Sequence, residues 1–217
     1  MRRSPVVFCF ALLFFCAAPA WGEPVILAFG DSLTAGFGVR PDESYPSRLQ
    51  ERLRDEGYAY KVVNAGVSGD TTAGGKRRID WLLKHQPEIV ILELGANDGL
   101  RGLPLAEMEK NLEAIIRACR DKEARVLLAG MKIPPNFGLD YTRGFEEVFY
   151  RLADKYETGL IPFFLENVAA QRDLTQPDGI HPVGAGYAVV VETVWQYLEP
   201  MLESRSAGRG DQETSSR

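Results

Sequence analysis

Ser32 stands in Gly30-Asp31-Ser32-Leu33-Thr34-Ala35-Gly36, directly after the apolar run 25–29. Glycines on both sides let the backbone turn tightly and a substrate come close. A serine hydroxyl becomes a nucleophile only when a base takes its proton. The same hydroxyl is also an ordinary helix N-cap, and this stretch alone leaves both readings open. Two histidines are available as the base, His85 and His181. His85 lies in Lys84-His85-Gln86-Pro87, at the end of a helical pattern, where a cation suits the helix dipole. His181 lies in Asp178-Gly179-Ile180-His181-Pro182. Asp178, three residues earlier, is near enough to hold one ring nitrogen and fix the tautomer. An attacked carbonyl also needs hydrogen-bond donors for its developing charge. The backbone N–H of Gly69 and the side-chain amide of Asn97 are candidates. Both residues also fit ordinary turns, Gly69 through an unusual φ and Asn97 through an Asx-turn.

These residues need elements to hold them. The run 25–29 is too short for a helix and suits a strand buried on both faces. Positions 45–56 carry Tyr45, Leu49 and Leu53 at helical spacing before Gly57. Further strands are expected at 60–63, 89–94, 125–129 and 160–163. Helices are expected near 79–86, over about 105–120 and 142–156, and last in a segment carrying Val191, Val194, Trp195, Leu198 and Leu202. Cys119 falls on the apolar face of the 105–120 helix, as a core residue. The polar stretches 64–70, 95–99, 130–141 and 178–182 read as loops following strands. Strand and helix alternate, which predicts a parallel sheet with helices on both faces and right-handed crossovers. Every candidate residue except His85 then gathers on one edge of the sheet.

The ends of the chain differ from its middle. Arg2 and Arg3 precede an apolar run over 5–18, and Ala18-Pro19-Ala20 fits a small-x-small cleavage pattern. Residues 1–22 therefore read as a secretory signal peptide, cleaved after Ala20 or Gly22, and the run is too short to span a membrane. The expected domain is 23–203, and the polar tail 204–217 is expected to be disordered. Beyond residue 22, 23 Lys and Arg stand against 30 Asp and Glu. That acidic balance without a basic run excludes nucleic acid as an expected partner. Cys119 is the one cysteine after residue 22, so no internal disulfide is expected. No second stretch could span a membrane, and the mature protein is expected to be soluble, periplasmic or secreted.

Taken together, the blocks at 30–36, 64–71, 95–98 and 178–182 resemble the four ordered blocks of the SGNH (GDSL) hydrolases. Leu92-Glu93-Leu94-Gly95-Ala96-Asn97-Asp98-Gly99-Leu100-Arg101-Gly102 is especially similar to the bacterial extracytoplasmic arylesterase group, with its acyl-CoA thioesterase and lysophospholipase relatives. The resemblance covers about 24–202. It implies a three-layer α/β/α sandwich with a five-stranded parallel, flavodoxin-like sheet. It also implies Ser32 as nucleophile, Asp178 and His181 completing a triad, and Ser32, Gly69 and Asn97 as oxyanion donors. Ala96 stands where some relatives carry a second glycine. The implied reaction is hydrolysis of aryl or short-to-medium acyl esters, with thioesters and lysophospholipids as possible further substrates. No cofactor and no metal are expected, and a monomer is. The acyl chain is expected along two apolar loop stretches, touching Gly99, Leu100, Leu103, Ile133, Pro134 and Phe137. A carbohydrate O-deacetylase on the same scaffold is the alternative, and a catalytically silent binding protein a more distant one.

Overall fold

The computed structural model describes residues 23–202; the expected signal peptide and polar tail lie outside them. Five strands form one sheet: β1 Val25–Gly30, β2 Lys61–Gly66, β3 Ile89–Glu93, β4 Arg125–Ala129 and β5 Gly159–Ile161. All pairs are parallel, in the order β2-β1-β3-β4-β5. This is the flavodoxin-like order, whose switch point lies where the chain leaves β1. The helices are α1 Ser32–Ala35, α2 Tyr45–Asp55, α3 Thr72–Leu82, α4 Ala96–Leu100, α5 Leu105–Arg120, α6 Leu139–Tyr156 and α7 Gly184–Leu198. Helices α3, α5 and α6 pack side by side, and α2 packs on α7, which gives the three-layer sandwich.

The apolar periodicities explain the layers. Tyr45, Leu49 and Leu53 are fully buried on α2, and Leu112, Ile115, Ile116 and Cys119 on α5. Burial pushes the Cys119 thiol up to about 12, so it stays a protonated, inert core group. In the sheet, Ile26 to Phe29 and Ile89 to Leu92 are fully buried, as strands covered on both faces should be.

Several boundaries differ from expectation. β2 extends through Asn64, Ala65 and Gly66, which pair with Ala28, Phe29 and Gly30. The small and polar residues of that stretch hide a strand whose reason is the neighbouring ladder. β5 spans Gly159–Ile161 rather than 160–163, because Pro162 has no N–H to continue the pairing. The segment 95–99 is largely the one-turn helix α4. The stretch 130–141 holds a 3-10 turn, Pro135–Phe137, and the start of α6. α7 stops at Leu198, so Leu202 lies beyond it, after a further 3-10 turn.

Candidate active site

β1 delivers its last residue, Gly30, into a crowded corner. A Cβ there would stand 2.0 Å from Thr34 Oγ1 and 2.4 Å from Glu93 Oε2, so only glycine fits. Asp31 then caps α1: its Oδ1 accepts from the Leu33 N–H at 3.0 Å. The N-cap position belongs to Asp31, not Ser32. Ser32 is instead the first residue of α1, and its Oγ lies 2.9 Å from His181 Nε2. A second, longer approach of 3.4 Å runs from Ser32 Oγ to Asp31 Oδ1.

His181 is held by its own loop. Its Nδ1 lies 2.6 Å from Asp178 Oδ2, while Asp178 Oδ1 accepts from the N–H groups of Ile180 and His181 at 2.9 and 3.0 Å. Desolvation pushes the Asp178 carboxyl up, but the hydrogen bonds from His181 and these two N–H groups outweigh it and hold it below its ordinary value. Gln176 ties the loop to the segment that follows Ser32. Its N–H donates to the His181 carbonyl at 2.7 Å, and its Nε2 donates to the Phe37 carbonyl at 2.8 Å. Nδ1–H given to Asp178 leaves Nε2 free to accept from the serine, the tautomer that general-base attack needs. His85 lies in a 3-10 turn before β3, its ring against Trp81. It is at the opposite edge of the sheet from Ser32.

Asn97, inside α4, closes no local turn. Its Nδ2 donates to Asp31 Oδ2 at 2.9 Å, across 66 positions of chain. Burial pushes the Asp31 carboxyl up to about 6, against the pull of the Leu33 N–H and the Asn97 amide. Arg101 Nη2 donates to the Gly69 carbonyl at 2.9 Å and to Asn97 Oδ1 at 3.5 Å, so one guanidinium ties the two expected oxyanion donors together. With Oδ1 on Arg101 and one amide hydrogen on Asp31, the second amide hydrogen of Asn97 is left for another acceptor. Gly69 has φ +78°, in the left-handed region that favours glycine. Arg78 fixes the same loop from below: it donates to Asp70 Oδ2 at 2.8 Å and to the carbonyls of Ala65 and Gly30 at 2.6 and 2.9 Å. Asp98, by contrast, accepts from the Thr72 N–H and hydroxyl at 2.8 and 2.6 Å and anchors α4 to α3.

Beneath the turn that carries Ser32 lies Glu93, fully buried. Its Oε2 accepts from the Thr34 hydroxyl at 2.8 Å and the Asp31 N–H at 3.3 Å, and Oε1 has no partner among the described residues. Burial first, and the Asp31 charge second, push its carboxyl well above the ordinary range. The folded protein thus keeps a proton that the unfolded chain would release. Stability linked to Glu93 is present below its unfolded pKa and falls as pH rises towards the folded one. Glu93→Gln keeps an acceptor oxygen but cannot ionise. Its melting temperature relative to wild type is expected to rise as pH climbs above the ordinary carboxylate range, where the wild-type chain must keep a proton that the variant does not need. Asp31 titrates in both proteins. A difference independent of pH would show that Glu93 carries no such proton.

The expected acyl-binding residues form one neighbourhood. A Cβ on Gly99 would lie 2.8 Å from Ile133 Cγ2. The Tyr141 hydroxyl donates to the Leu103 carbonyl at 2.7 Å, and the rings of Phe137 and Tyr141 are 6.3 Å apart. Gly99 and Ile133 are buried, Leu100 and Phe137 half-buried, and Leu103 and Pro134 exposed. Gly99 and Leu100 belong to α4 and Phe137 to a 3-10 turn, whereas Leu103, Ile133 and Pro134 lie in irregular backbone. Among the described residues, no group of three or more His, Cys, Asp or Glu could hold a metal ion, and no helix is long and apolar enough to cross a membrane.

A doubly covered parallel sheet with Ser32, His181 and Asp178 joined at the strand ends has the architecture of an acyl hydrolase. Residues 28–189 match the GDSL-like Lipase/Acylhydrolase family, and the chain belongs to it. It is 42% identical over 203 residues to Esterase TesA of Pseudomonas aeruginosa, covering 93% of this chain and 100% of that protein. It is 38% identical to the Arylesterase of Vibrio mimicus, over 86% of this chain and 94% of that one. A crystal structure of the psychrotrophic esterase EstA from Pseudoalteromonas sp., inhibited by monoethylphosphonate, superimposes with a TM-score of 0.79. The identity there is 33%, covering 82% of this chain and 98% of that one.

Proposed function

We propose that this protein is a serine esterase that hydrolyses aryl and short-to-medium acyl esters, with thioesters and lysophospholipids as further substrates. The observation that carries the reading is the hydrogen-bonded series from Ser32 Oγ through His181 to Asp178. Ser32 attacks the carbonyl carbon while His181 Nε2 takes its proton, and Asp178 stabilises the imidazolium. The carbonyl oxygen, now negative, is received by the N–H groups of Ser32 and Gly69 and by the free amide hydrogen of Asn97. His181 then gives its proton to the leaving oxygen or sulfur. Water, deprotonated by His181, attacks the acyl-enzyme and releases the acid and Ser32. The acyl chain lies against Gly99, Leu100, Leu103, Ile133, Pro134 and Phe137.

One chain supplies every group in this scheme, so a monomer suffices, as one domain over 23–203. The pattern of residues 1–22 supports export, with action in the periplasm or outside the cell. The relatives named esterase and arylesterase support ester hydrolysis. The deciving experiment for substrate class compares p-nitrophenyl esters of graded acyl length with acetylated sugars. Ser32-dependent release of p-nitrophenol, with kcat/KM varying along the series, supports the esterase. Faster acetate release from the sugars than from any p-nitrophenyl ester would replace it with an O-deacetylase.

A further inference from the structure

Phe37 is half exposed although it is a large aromatic residue, and its place is not incidental. Its ring packs against the His181 ring, with centroids 4.9 Å apart and a tilt of 50°. Its backbone is fixed from two sides. The Phe37 N–H donates to the Ser32 carbonyl at 3.0 Å, and its carbonyl accepts from Gln176 Nε2. Val67, 47% exposed, opens the loop after β2, and its N–H donates to the Gly30 carbonyl at 3.1 Å. Two exposed apolar side chains are thus each anchored by backbone to the turn that carries Ser32. Single exposed apolar residues are common and mean little; one stacked on the candidate base is different.

Topology separates Val67 from the proposed acyl wall. Gly99, Leu103 and Ile133 follow β3 and β4, on one side of β1, whereas Val67 follows β2 on the other. The carbon bonded to Ser32 Oγ in the tetrahedral intermediate carries three other groups: the oxyanion, the acyl chain and the leaving oxygen. The leaving oxygen must face His181 Nε2, since that nitrogen supplies the proton as the carbon–oxygen bond breaks. Whatever that oxygen carries therefore emerges beside the His181 ring. Phe37 is the exposed apolar surface in contact with that ring.

We propose that Phe37, with Val67 beside the same turn, forms a leaving-group subsite that favours esters of aromatic or arylalkyl alcohols. It rests on the assignment of Ser32 and His181 as nucleophile and base. An aromatic ring stacked on Phe37 gains contact in the transition state for acylation, so kcat/KM is the parameter it raises. Deacylation, after the alcohol has left, does not feel it.

The test compares benzyl acetate with 2-methoxyethyl acetate, two esters with the same acyl group and alcohols of similar acidity. Acetate release gives kcat/KM for wild type, Phe37→Ala and Phe37→Leu, with thermal melts for each. Phe37→Ala is expected to lower kcat/KM for benzyl acetate about tenfold, or 1.36 kcal/mol, and to leave 2-methoxyethyl acetate within about twofold of wild type, well under that tenfold. Phe37→Leu, which keeps apolar bulk without a ring, should show the same selectivity to a smaller degree. Equal losses on both esters in either folded variant would overturn the subsite and make Phe37 a support for His181. No loss on benzyl acetate would overturn it as well. Hydrolysis of either ester by Ser32→Ala at the wild-type rate would instead overturn the nucleophile assignment, a distinguishable result.

Discussion

Ser32→Ala and His181→Ala are each expected to lower kcat for ester hydrolysis by about 10⁴- to 10⁶-fold, the range for losing one member of a unit that acts together. His85→Ala is expected to stay within about twofold, far below the tenfold that 1.36 kcal/mol represents. The contrast follows from position alone: Ser32 Oγ and His181 Nε2 are 2.9 Å apart, whereas His85 lies before β3 at the other sheet edge. The double variant Ser32→Ala/His181→Ala should lose little more than either single one, because the base without its nucleophile has nothing to activate. Additive losses would mean that the two side chains act in separate steps. Comparable losses from His85→Ala and His181→Ala in folded protein would discard the base assignment.

Asn97→Ala is expected to lower kcat by about 10²-fold, near the lower end for losing one oxyanion donor. The Ser32 and Gly69 N–H groups remain, and KM should change little, since the contact strengthens as the carbonyl oxygen gains charge. A stability loss is expected alongside, because the Asp31 carboxylate, 1% exposed, would lose the donor to its Oδ2. Leaving a buried acceptor unpaired costs about 1–3 kcal/mol. Thermal melting and steady-state kinetics on the folded fraction separate the two effects. A lower melting temperature with kcat within about threefold of wild type, below the tenfold step of 1.36 kcal/mol, would confine Asn97 to holding Asp31.

The sheet and its helices were legible because burial leaves a periodic trace. Ile89 to Leu92 and the face of α5 each carry one. The candidate site was legible where few residues of a type compete, as with two histidines, or where a short block holds both partners, as with Asp178 and His181. The end of β2 was not, because Asn64 to Gly66 owe their strand to the hydrogen-bonding needs of Ala28 to Gly30. Glu93 does leave a trace: a carboxyl inside an otherwise apolar strand needs buried partners. Arg78, Arg101 and Gln176 left none. Their roles come from meeting backbone carbonyls of residues 13 to 139 positions away, and nothing in one sequence marks such meetings. Asp31 stands in the block around Ser32, but nothing in the sequence marks its cap of α1 or its bond to Asn97.

The proposed mechanism depends first on Ser32 as the nucleophile. The most direct measurement treats the folded protein with a fluorophosphonate and locates the adduct by peptide mass spectrometry. One phosphonyl group per chain on Ser32, with activity lost in proportion and no adduct in Ser32→Ala, is the expected result. An adduct on another residue that abolishes activity, or undiminished labelling of Ser32→Ala, would contradict it.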